Sequence, residues 1–241
     1  MFPTIPTSGA GRIVSAANLS PAGTHTFPNQ NLLTAPAGDL ILALCIAYDG
    51  NSSNAEFSAW GASFTEFLDQ ASTTTMAIGG AYKWSNGAET GTFTVTTADT
   101  STNDSQCILV AIPGAHLSTP PVAGTITNGT AAAADIASLN PSTWDIEDTL
   151  WIAVCGSGED STTGSFLAPS AAPANYGNLF ATAVSADVVG GVFGALAFRQ
   201  LSAASDDPAT FTVDTSNARN SALLIAVRPM ELPQLVMARH R

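Results

Sequence analysis

Two kinds of apolar pattern alternate along this chain. Four runs are continuously apolar: 40–47 (Leu40-Ile41-Leu42-Ala43-Leu44-Cys45-Ile46-Ala47), 107–112, 150–155 and 222–227. Elsewhere Phe93 and Val95 alternate with Thr92, Thr94 and Thr96, and Phe211 and Val213 alternate with Thr210, Thr212 and Asp214. A period of two is that of a strand buried on one face. The continuous runs have the length of strands, and Gly, Pro, Asn and Asp flank them, so they read as strands covered on both faces. Turn chemistry lies between them at Asp49-Gly50-Asn51, Asn86-Gly87, Asn128-Gly129, Asn140-Pro141 and Asp207-Pro208. Helix is confined to one or two turns within 131–139, capped by Thr130 and stopped by Asn140-Pro141.

The pattern is written twice. Leu40-Ile41-Leu42-Ala43-Leu44-Cys45 recurs as Leu150-Trp151-Ile152-Ala153-Val154-Cys155, and Ala81-Tyr82-Lys83 as Ala197-Phe198-Arg199. Thr92-Phe93-Thr94-Val95 recurs as Thr210-Phe211-Thr212-Val213, and Cys107-Ile108-Leu109-Val110-Ala111-Ile112 as Ala222-Leu223-Leu224-Ile225-Ala226-Val227. The four segments keep their order, which one chance match among apolar runs does not explain. About six strands per unit, roughly a dozen overall, suit a sandwich of the jelly-roll kind. The predicted fold is therefore all-β: a jelly-roll-like β-sandwich built from two sequence-similar halves. Its parts are an N-terminal arm over 1–12, a body over 13–229 made of units at about 13–116 and 117–229, and a C-terminal tail over 230–241. The units either interleave into one sandwich or stand as two in tandem; the absence of a flexible linker between 114 and 148 favours one compact body.

Composition narrows the function. The chain has 241 residues, 45% hydrophobic and only 11% charged, against about 25% charged in an average domain. That excludes a disordered chain, and no apolar run reaches the ~20 residues of a membrane-spanning helix. The start, Met1-Phe2-Pro3-Thr4-Ile5-Pro6, does not read as a secretion signal. Seven Lys and Arg against 19 Asp and Glu leave a net charge of −12, so neither nucleic acid nor a membrane is expected as a partner. The single basic cluster is Arg239-His240-Arg241. Cys45, Cys107 and Cys155 each sit in an apolar run and read as buried thiols, which points to a reducing compartment.

Gly38-Asp39-Leu40, Tyr82-Lys83-Trp84, Thr92-Phe93-Thr94-Val95 and Ala111-Ile112-Pro113-Gly114, echoed at 148–155, 197–199, 210–213 and 222–229, carry a resemblance. Together they resemble a broad group of β-sandwich proteins of tailed bacteriophages and bacteria, commonly minor tail or capsid decoration proteins. The second unit departs from it, with Asp148-Thr149-Leu150 for Gly-Asp-Leu and Arg228-Pro229 for Pro-Gly. The resemblance implies a non-enzymatic structural protein of the virion, assembled in the host cytoplasm. Its partners would be other virion proteins of a capsid or tail lattice and further copies of itself, and a host-surface glycan enters under a second reading. The segments 1–12 and 230–241 are the expected docking arms, the latter anchored by Val236-Met237.

Candidate chemistry is sparse. His25, His116 and His240 are the only histidines, and no GxSxG elbow accompanies them; His25 reads as an exposed strand position and His116 as part of a turn. Glu66 with Asp69, Glu147 with Asp148 and Asp206 with Asp207 are carboxylate pairs that suit turns better than glycoside hydrolysis. The loops 49–54 and 158–162 are rich in oxygen ligands but lack EF-hand spacing, so they read as polar turns rather than Ca²⁺ sites. Gly79-Gly80 and Gly190-Gly191 read as bulges or turn ends. Asn18, Asn51, Asn103 and Asn128 head glycosylation sequons that reflect Ser/Thr-rich composition. The expectation is therefore no catalytic residue, no cofactor site and no metal site. The alternative is a carbohydrate-binding adhesion module, for which Trp60, Trp84 and Tyr48 would be the stacking faces.

Overall fold

In a computed structural model, the described residues are 2–5, 11–18, 23–28, 33–48, 57–61, 63–70, 76–97, 104–129, 133–159, 169–186, 190–213 and 219–231. Each predicted continuous run is a strand with both faces covered. The N-terminal half holds β1 (Ile13–Asn18), β2 (Thr24–Phe27), β3 (Leu40–Tyr48), β4 (Phe57–Trp60), β5 (Thr65–Gln70), β6 (Met76–Trp84), β7 (Phe93–Thr97) and β8 (Asp104–Ile112). The C-terminal half holds β9 (Val122–Ala123), β10 (Thr127–Gly129), β11 (Ala133–Ala134), β12 (Glu147–Glu159), β13 (Gly177–Ala186), β14 (Gly190–Ala203), β15 (Phe211–Thr212) and β16 (Arg219–Val227). Every pairing among the described strands is antiparallel.

Two large sheets stand back to back, each with a small sheet on its outer face. The first has the order β1-β8-β3-β6-β5 and is faced by β2-β7-β4. The second runs β10-β16-β12-β14-β13, with β9 beside β16, and is faced by β11-β15, which Ala171 extends through a bridge to Thr212. Three apolar layers separate the four sheets. Between the large sheets lie Leu40, Leu42, Leu44 and Ile46 with Leu150, Ile152, Val154 and Ile225. Ile41, Ala43, Cys45 and Ala47, on the other face of β3, pack with Phe27, Phe57, Phe93 and Val95. Trp151, Ala153 and Cys155 pack likewise with Phe211, Val213, Trp144 and Tyr176. This double covering is why the long central strands need apolar residues at successive positions, while β7 needs them only at alternate ones.

The large sheets match in strand order: β1 with β10, β8 with β16, β3 with β12, β6 with β14 and β5 with β13. Cys45 lies across from Gly79 and Cys107, as Cys155 lies across from Ala195 and Ala222. Among the described residues no strand of one half is paired into a large sheet of the other, so the described strands form two sandwiches sharing a central core, not one interleaved sandwich. The leading segments do cross over. Gln200 Nε2 in β14 donates to the Pro3 carbonyl (2.8 Å), and Ile5 is buried in the central core. Reciprocally, Trp84 Nε1 in β6 donates to the His116 carbonyl (3.3 Å) ahead of β9.

Several local expectations are corrected. The described part of 131–139 holds no helix: Ala133–Ala134 form β11, and burial of Ala134 and Ile136 follows a strand period. Sixteen strands are described, more than the dozen expected. Gly79 and Gly80 are interior to β6, where rings of Phe57 and Phe67 occupy the space a β-carbon would need. Gly190 and Gly191, by contrast, are the first two residues of β14, a position that does not contradict a turn end.

Candidate docking surface

His25, His116 and most of the paired carboxylates are held in structural contacts. His25 is fully buried rather than exposed, because period two puts it on the face of Phe27. Its Nδ1 lies 2.7 Å from Ser105 Oγ, its Nε2 lies 3.3 Å from Thr97 Oγ1, and its ring stacks on Phe27. Burial lowers its pKa to about 4, so it is neutral near pH 7. His116 Nδ1 accepts from the backbone N–H groups of Ser118 and Thr119, which shapes a turn. His240 lies outside the described residues.

The carboxylate pairs are divided among different partners. Glu66 accepts from Trp60 Nε1 at 2.6 Å, and Asp69 accepts from the Phe57 backbone N–H at 3.2 Å. Glu147 takes a two-pronged bond from Arg228 (2.6 and 2.8 Å), whereas Asp148 accepts from Ser202. Asp206 is buried, bonded to the Tyr176 hydroxyl and paired with Arg199 at 3.1 Å, whereas Asp207 is exposed. Its own burial and then the adjacent Asp206 carboxylate push the Tyr176 phenol up, keeping it a neutral donor. Arg12, Lys83, Arg199 and Arg228 each pair with a carboxylate. Cys45, Cys107 and Cys155 are buried thiols that form no disulfide, and burial raises the thiols of Cys45 and Cys155. Among the described residues no three His, Cys, Asp or Glu side chains gather as a metal would require. Residues 49–54 and 160–162 of the candidate Ca²⁺ loops, and sequons at Asn51 and Asn103, lie outside the described residues.

The three candidate stacking aromatics serve packing. Tyr48 is buried in the central core. Trp60 packs between Phe57 and Phe93. Trp84 meets Tyr82 edge-on at 5.2 Å between centroids.

Among the described residues, the large apolar side chains that are exposed lie towards one end of the strands. Leu117 is 55% exposed, Ile146 73% and Met230 42%. Backbone bonds place them together: Met230 N donates to the Gly114 carbonyl (2.8 Å), and His116 N to the Arg228 carbonyl (2.9 Å). Arg228 in turn holds Glu147, next to Ile146. Leu117 and Ile146 were not singled out from sequence, although each is a lone large apolar residue in a Ser-, Thr-, Pro- or Asp-rich stretch. The 230–241 tail leaves from this end, its described part being Met230 and Glu231. The other expected arm is tied down in its described part: Thr4 N donates to the Pro113 carbonyl (3.1 Å), and Arg12 pairs with Asp39. Apolar side chains exposed beside a satisfied ion-pair network can bury area against a partner without leaving a charge unpaired. No family model, no curated protein and no solved structure matches this chain.

Proposed function

We propose that this chain is a non-enzymatic structural protein of a bacteriophage particle, a capsid decoration or minor tail component. It would dock through the Leu117–Ile146–Met230 end and present a polar outer face. The observation that carries the reading is this apolar end at the root of the 230–241 segment, on a body whose described candidate groups, the exposed Asp207 apart, are engaged in packing, hydrogen bonds or ion pairs. Duplication of one β unit accounts for the shared strand order and for the four recurring segments. A lattice component needs rigidity more than an active site, and three apolar layers between four sheets supply it. The test is incorporation into particles of the phage that encodes it. Deletion of 230–241, or Leu117→Asp with Ile146→Asp, should abolish incorporation while leaving Tm within a few degrees. Full incorporation of both variants would overturn the proposal.

One observation favours the alternative of a carbohydrate-binding module. A cleft beside the β5–β6 pair is lined by Tyr82, Trp84, Ser63, Thr65, Asn86 and Glu89, combining aromatic and hydroxyl groups suited to a sugar. Micromolar glycan-array binding lost in Trp84→Ala, without particle association, would favour this reading over the first.

A further inference from the structure

We propose that β1 is the edge through which two copies of this chain join antiparallel, fusing their first large sheets into one continuous sheet. Edge strands carry a row of unpaired backbone groups and are normally blunted by bulges, charge or shortness. The other edges here are blunted. Register breaks in β5 between Glu66 and Leu68, in β13 between Gly177 and Phe180, and in β4 between Ser58 and Trp60. β10 has three residues, β9 two and β2 four. β1 has none of these devices. Its six residues, Ile-Val-Ser-Ala-Ala-Asn, are uncharged, pair with β8 without a break, and are all partly exposed. Among the described residues β8 is its only partner strand.

The hydrogen-bond phase identifies what the edge offers. The Arg12 carbonyl accepts from Ala111 N (2.9 Å), so residues 12, 14 and 16 direct their backbone groups at β8. Ile13, Ser15 and Ala17 then direct theirs outward. Gly11 shares that outward phase, and its carbonyl accepts from Thr34 N, so the edge is closed at Gly11; among the described residues no partner strand takes up the outward groups of Ile13, Ser15 and Ala17.

The open stretch is complementary to itself. Antiparallel pairing centred on Ser15 sets Ile13 across from Ala17 of the second copy, Ser15 across from Ser15, and Ala17 across from Ile13. Each such pair exchanges two backbone bonds. Val14 then faces Ala16, so large side chains meet small ones and no charge opposes a like charge. The result is an isologous, closed twofold contact. This inference requires nothing of the particle reading.

Sedimentation equilibrium of the full chain, from low micromolar to a few hundred micromolar, tests it. The wild type should be a reversible dimer. Ser15→Pro removes an outward N–H while sparing the bonds to β8, and should weaken dimerisation at least tenfold. As a second variant, Ser15→Cys should give a covalent dimer on mild oxidation, because directly opposed residues of a bonded pair lie about 5.5 Å apart at Cα. Val14→Cys, opposed by Ala16, should not, and neither should the wild type, whose three cysteines are buried. A monomer at every concentration, or a dimer untouched by Ser15→Pro and uncrosslinked by Ser15→Cys, would overturn the proposal. If Ser15→Pro does not fold, crosslinking decides alone.

Discussion

The ring of Tyr48 lies over the α-carbon of Gly158, in the space that a β-carbon on residue 158 would occupy. Tyr48 ends β3 and Gly158 lies near the end of β12, so the contact closes the central core between the two large sheets. The same device recurs one pleat inward, where a β-carbon at Gly156 would sit 2.8 Å from Ile46 Cγ2. The atoms met at Gly158 are at the root of the tyrosine side chain, which cannot swing away without moving β3.

Gly158→Ala should therefore destabilise the protein by about 1–3 kcal/mol, the usual range for overpacking. Combining it with Tyr48→Ala should cost less than the sum of the two single changes, a coupling readable by urea denaturation. Gly177→Ala, where a β-carbon meets open space, is the control and should stay within about 0.5 kcal/mol.

Phe93 anchors the core between the first large sheet and its small partner, touching the rings of Phe27, Trp60 and Phe64. It is fully buried, and truncation would leave a cavity ringed by rigid aromatics that collapse poorly. Phe93→Ala should cost about 3–5 kcal/mol in denaturant unfolding.

His25 sets an acid limit. An unfolded histidine takes up its proton near pH 6.5, whereas the buried ring resists until about pH 4. The contribution is intact above pH 6.5 and is lost as pH falls towards 4, by about 3 kcal/mol over that window. His25→Gln should flatten this limb of a Tm-against-pH curve, whatever it costs at neutral pH.

Asp104 acts in the opposite sense. Burial raises its carboxyl to about 6, above the ~3.9 of an unfolded aspartate. The folded state holds the proton more tightly, so stability falls as pH rises from about 4 to 6 and stays reduced above that. Asp104→Asn should raise Tm at pH 7.5 and leave it nearly unchanged at pH 4. An equal shift at both pH values would contradict the assignment.

Much of the architecture was legible in the chain. Leu40 to Ala47 could be read as covered on both faces because a solvated face would have required polar residues at alternate positions. Phe93 and Val95, spaced by two among threonines, marked a strand with one buried face. His25 was misread although the signal was present, since it sits two residues before Phe27 and shares its face. Gly79 and Gly80 read locally as bulges or turn ends; they lie inside β6, where the register break of β5 falls opposite Gly80 and Ala81, and the rings of Phe57 and Phe67 that exclude a side chain come from β4 and β5. The apolar end was only partly legible, because Leu117, Ile146 and Met230 are far apart along the chain and are brought to the same end by the pairing of 114–116 with 228–230 and by the Arg228–Glu147 ion pair.

By itself the sequence determined the strand character, the doubled order of segments and the absence of a basic surface, since each depends on local periodicity or on totals. Only the tertiary structure decided that, among the described residues, the halves keep separate large sheets, that glycines 156 and 158 admit Ile46 and Tyr48 between them, and that β1 stands at a sheet edge with an unbroken register to β8. Those outcomes depend on which surfaces meet across the fold, and spacing along one chain does not encode the distance between faces.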